Sequence, residues 1–182
     1  MTGYESTRRR HSASGLMAIG LATAALVATA ASSLGNQSSF AAVRQATAAF
    51  HDLSAAEAAG YGPFYICTDE PGQGAMGQHF VNGALVGDAV VDPLTPEALV
   101  YEPKPGGGYR LGALEYVVFA DAWDAVNAAP PSLFGQPFRL ITEPNRYGLP
   151  PFYELHVWIW SPNPRGIFND WNPRVSCAHA AE

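Results

Sequence analysis

The chain has 182 residues, 10 basic and 16 acidic side chains, a net charge of −6 and 48% hydrophobic residues. That length suits one domain plus a targeting segment. An acidic chain without a basic cluster gains nothing from phosphate backbones, which excludes nucleic acid as a partner.

The N-terminus runs Thr7-Arg8-Arg9-Arg10-His11 and then carries no charge from Ser12 to Val43. Gly15 to Ala28 is small or apolar, and Ala28-Thr29-Ala30 fits a small-x-small cleavage site. A basic start, an apolar middle and a small-residue cut describe a signal peptide over residues 1–30. The arginine run also fits the twin-arginine route, and the uncharged run is long enough to remain as an uncleaved anchor. Export holds in each case, and the membrane is a partner only through this segment. Cleavage after Ala30 leaves 7 basic and 15 acidic residues, a net charge of −8. Cys67 and Cys177 both lie in that part. In an oxidising compartment two cysteines pair as a disulfide; free thiols or metal ligation are the alternatives.

Residues 31–40 read as a flexible neck and residues 41–182 as a single globular domain. From Ala41 to Ala59 the spacing of Val43, Ala46, Phe50, Leu53 and Ala56 predicts an amphipathic helix, stopped by Gly60. His51 lies in it beside Phe50, either solvated or contributing to a site. Residues 68–78 read as a glycine-rich loop, which lacks the Lys-Ser/Thr end of a phosphate loop. Gln78 to Asn82, with His79, reads as a short strand. Glu97 to Pro103 and Tyr109 to Ala120 read as strands joined by a loose loop.

On the second of these strands Leu111, Ala113, Glu115, Val117 and Phe119 share a face, which makes Glu115 a buried acid in need of a partner. Residues 121–128 read as a short helix and Phe138 to Ile141 as extended. The last strand, Phe152 to Trp160, alternates Leu155, Val157 and Ile159 against Glu154, His156, Trp158 and Trp160. Asn163-Pro164 and Asn172-Pro173 then turn the tail, anchored by Phe168 and Trp171. The expected fold is α+β: an N-terminal helix packed on a curved antiparallel β-sheet or small β-barrel.

With His11 in the signal and His179 in the tail, the usable histidines are His51, His79 and His156. His79, His156 and Glu115 on neighbouring strands suit Zn²⁺, or Fe²⁺ or Mn²⁺ with open positions, with His51 or Glu102 as a fourth contact. No H-E-x-x-H, dinucleotide, nucleophile-elbow or heme-attachment motif competes with that chemistry. Tyr153, Trp158 and Trp160 outline a pocket for a small apolar or ring-shaped molecule. The leading expectation is an exported metal-binding protein, a small metalloenzyme where the ion keeps open positions. The alternatives are a non-catalytic binding module, or a structural envelope protein whose aromatics are core.

The stretches Gly74-Ala75-Met76-Gly77-Gln78-His79-Phe80-Val81-Asn82, Asp92 to Pro103, and Leu155-His156-Val157-Trp158-Ile159-Trp160 through Asn172-Pro173 resemble a family of exported bacterial proteins. The resemblance covers most of residues 41–177. It implies export and a single domain and brings no activity with it.

Overall fold

The structure, a computed structural model, describes Met1 and residues 39–180. The chain divides into two units, Met1–Gln37 and Ser38–Glu182, and every element below belongs to the second. Residues 2–30 of the segment read as a signal peptide, and residues 31–38 of the stretch read as a neck, lie outside the described residues. Among the described residues no helix is long and apolar enough to cross a membrane.

Helix α1 covers residues 39–47 and so takes in the last two residues of the stretch read as a neck. The single helix expected to Ala59 is broken. A 3₁₀ turn, Ala48–His51, intervenes before α2, Leu53–Ala58. Asp52 causes the restart: its carboxylate accepts the Ser54 N–H at 3.0 Å, the bond of a helix N-cap. The Phe50 carbonyl is meanwhile taken by the Tyr101 hydroxyl at 2.7 Å, which pins the turn to the sheet.

Strands β1 (Gly62–Glu70) and β2 (Gly74–Val81) form an antiparallel hairpin where a glycine-rich loop was expected. Next come α3 (Gly83–Val86), β3 (Ala98–Pro103), β4 (Tyr109–Phe119) and α4 (Ala120–Asp124). A two-residue hairpin, β5 (Ser132–Leu133) and β6 (Gln136–Pro137), precedes β7 (Arg139–Ile141) and β8 (Phe152–Val157). The main sheet is antiparallel in the order β1-β2-β3-β4-β8-β7 and curls into half a barrel, with β1 and β7 as its edges. This is the expected α+β architecture in its open-sheet form.

The faces of the sheet differ in content. One carries the main core: Phe80, Leu99, Tyr101, Leu114, Tyr116, Val118, Leu155 and Val157, packed with Val43 of α1 and Ala56 of α2. The reverse face carries a smaller apolar cluster of Ala75, Val100, Ala113, Trp158 and Val175. Alternation does not run unbroken along β4. Val100 pairs with Ala113 but Tyr101 pairs with Leu111, so Gly112 is a bulge. Leu111 therefore joins the main core, away from Ala113 and Glu115.

The final strand also stops short. The Trp160 and Ser161 N–H groups both donate to the Gly112 carbonyl, at 3.1 and 2.9 Å, which draws the chain out of the ladder after Val157. Trp160 consequently packs against the main core and Trp158 against the smaller cluster. The tail crosses the reverse face through an Ala75–Asn172 bridge and a Cys67–Cys177 disulfide with Cα atoms 5.7 Å apart.

Candidate metal centre

Strand register builds the site. Glu115 on β4 lies directly opposite His156 on β8, so their side chains leave the sheet on one face. His79 on β2 faces Val100, which faces Ala113, two residues before Glu115 and on its side. All three polar residues are at least 95% buried. His79 Nε2 stands 3.2 Å from one Glu115 oxygen and His156 Nδ1 stands 3.4 Å from the other. One ligand atom from each residue can be chosen so that all three lie within 4.8 Å of one another.

The buried nitrogens give the cluster its chemical character. His79 Nε2 and both ring nitrogens of His156 have no hydrogen-bond partner of good geometry. A buried polar atom left so costs free energy unless something else satisfies it. A tetrahedral ion bound at about 2.0–2.1 Å separates its ligands by roughly 3.3 Å. The separations of 3.2 and 3.4 Å are of that order but run to different Glu115 oxygens. The set with one atom from each residue spans up to 4.8 Å, so small side-chain movements would close it on one ion. The three residues are thus of a kind and spacing able to hold one divalent ion.

Further groups close the surround. Glu154, two residues before His156 and on its face, is 3% exposed and lies close enough to Glu115 for each carboxyl to shift the other. Arg139 of β7 pairs with both Glu154 and Asp170, and Asp170 comes within 3.9 Å of His156 Nδ1. Trp158 stacks on His156 with ring centroids 6.1 Å apart and donates its indole N–H to the Asn169 carbonyl at 2.6 Å.

Two carboxyls and two imidazoles in a dry space cannot all be charged. Burial holds His156 on the neutral side of its ordinary range, against the pull of Glu115. Burial, then the charge of Glu115, pushes Glu154 up to about 8 despite Arg139. Glu115 is the group that stays ionised. Burial opposes its charge, but attraction to whatever proton the His156 and His79 rings carry outweighs it and lowers its carboxyl below the ordinary range. An uncharged imidazole beside an anionic carboxylate is the protonation state metal ligation requires.

The other residues singled out in the sequence are placed elsewhere. His51 is exposed and meets Trp160 edge-on at 4.3 Å, away from the cluster. Glu102 pairs with Arg110 across β3 and β4. Tyr153 belongs to the main core, its hydroxyl 3.1 Å from the Asp124 carboxylate. Of the three aromatics proposed as a pocket, Trp158 alone lines the His156 side.

Three participants were missed as site residues. Glu154 carried a signal, since alternation already put it on the face of His156. Arg139 and Asp170 carried none, because they reach the site only through the pairing of β7 with β8 and the path of the tail. No family model, curated protein or solved structure matches this chain, which leaves the site's chemistry to be read from its own atoms.

Proposed function

We propose that the chain is an exported metal-binding protein that holds one divalent transition-metal ion, Zn, Fe or Mn, between His79, Glu115 and His156. The observation that carries this is the convergence of three buried ligand atoms from three strands, with imidazole nitrogens that have no other partner. Three protein ligands leave coordination positions for water or substrate, which is the arrangement of a small metalloenzyme. Glu154 and Arg139 act behind the ligands, orienting Glu115 as outer carboxylates and cations do in metal sites. Support for export comes from the basic, then apolar, N-terminal segment and from the Cys67–Cys177 disulfide, a bond kept in oxidising compartments.

Elemental analysis of protein recovered from the periplasm or medium tests the reading, with the intact mass measured on the same sample. About one equivalent of metal per chain is expected, in a chain beginning after Ala30. A folded His79→Ala/His156→Ala double variant should lose the metal, its affinity falling at least a hundredfold. Metal-free wild-type protein, or unchanged metal in the double variant, overturns the proposal.

A further inference from the structure

A cavity of about 390 Å³ opens against the cluster on the same face of the sheet. Four rings, from Phe64, Phe119, Tyr147 and Phe152, wall it. Tyr147 comes from the loop before β8, with ring centroids 5.8 Å from Phe64 and 6.1 Å from Phe152. The polar groups are few and specific. His79, Glu115 and Glu154 line the cavity, each at most 5% exposed, and His79 Nε2 is unpartnered. Apolar walls with a few convergent polar groups are the pattern of a small-molecule site, and the volume falls at the small end of such sites.

The mouth is kept open by sequence. At Gly62 and Gly83, both lining residues, an added Cβ would meet nothing within 4 Å. Neither glycine adopts a positive φ, so neither is required by the backbone.

We infer that this cavity binds a small single-ring aromatic molecule bearing a hydroxyl, its ring among Phe64, Phe119, Tyr147 and Phe152 and its oxygen at His79, Glu115 and Glu154. The walls select a ring, since aromatic pairs gain from edge and offset contacts beyond the area they bury. The polar end selects a neutral hydroxyl. With no ion present an anionic head would meet the Glu115 carboxylate, and with or without one a charged head, anion or ammonium, would lose its hydration in so apolar a space. A hydroxyl donates to a carboxylate when no ion is present and offers an oxygen ligand when one is, so the inference stands apart from the metal reading.

Titration of the full chain with 4-ethylphenol and with 4-ethyltoluene, followed by calorimetry before and after chelation, tests it. The same ring without the hydroxyl isolates the contribution of the polar end. Saturable binding of 4-ethylphenol is expected, at least tenfold tighter than that of 4-ethyltoluene. Val117→Phe, which fills the cavity from β4, and Gly83→Phe, which fills its mouth where a side chain has room, should each weaken it tenfold or more. Gly83→Phe should fold normally even if Val117→Phe does not. No saturable binding, equal affinity for the two probes, or unchanged affinity in Gly83→Phe overturns the inference. Metal content, measured separately, decides the other proposal.

Discussion

Glu97 shows at the scale of one residue how burial sets a charge. It is 1% exposed and accepts the Val117 N–H at 3.0 Å. Burial, reinforced by Asp88 and Glu115, pushes its carboxyl from the ordinary 4.5 up to about 8, against the lowering effect of its backbone hydrogen bonds. The folded state therefore binds a proton that the unfolded chain releases between those values. The stability tied to this proton is fully present below 4.5 and is lost as pH rises through about 8. Denaturant melts at pH 5 and pH 8.5 should show the Glu97→Gln variant losing roughly 2–4 kcal/mol less than the wild type across that interval. Equal losses would mean that the carboxylate is solvated.

Glu115 has the opposite sign and was the more legible residue, since an acid among apolar neighbours on a strand must find partners. His79 and His156 are those partners. Glu97, at the start of its strand, gave no comparable pattern.

Among the elements, the β1–β2 hairpin is where composition misled. Glycines at 72, 74 and 77 read as a loop because Gly is weak in strands. Here Gly74 and Gly77 serve close approach, while Gly72, with φ +76° and open space beside it, makes the turn. Gly74 has φ +97°, and a Cβ there would lie 2.2 Å from the Asn172 carbonyl oxygen and 2.5 Å from Pro173 Cα. Both are backbone atoms, which cannot swing aside. Gly74→Ala should therefore destabilise by roughly 2–4 kcal/mol through a left-handed backbone and a displaced tail. Gly83→Ala, with open space and an ordinary φ, should be neutral or slightly stabilising in the same melts. Equal effects of the two would show that the Ala75–Asn172 bridge is dispensable.

The β8 face was legible through Glu154, His156 and Trp158 because alternation holds while the ladder does. Its failure at Trp160 has a local cause: the Gly112 carbonyl captures two successive N–H groups from the departing chain. A bulge at a lone glycine leaves no periodic trace, so the same device also hid the turn of Leu111 onto the main-core face.

For the molecule as a whole, the Cys67–Cys177 disulfide spans 110 residues and encloses all three candidate ligands within its loop. Its existence followed from two cysteines in a chain read as exported, whereas what it holds in place depends on the path of the tail. Between β8 and Cys177 that tail supplies Asn169, which accepts from the Trp158 indole, and Asp170, which pairs with Arg139. Restricting a loop of this length in the unfolded chain is worth about 4–5 kcal/mol in the chain-entropy model. The Cys67→Ser/Cys177→Ser variant should accordingly lose about 10 °C or more in melting temperature.

The ligands themselves sit on hydrogen-bonded strands whose register does not need the tail. One equivalent of metal should therefore still bind to the double serine variant, at an affinity reduced about tenfold by the loosened partners behind Glu115 and His156. A lower melting temperature with unchanged affinity would confine the staple to folding. Complete loss of metal in a still-folded variant would make the tail part of the site, with Asp170 the ligand to examine next.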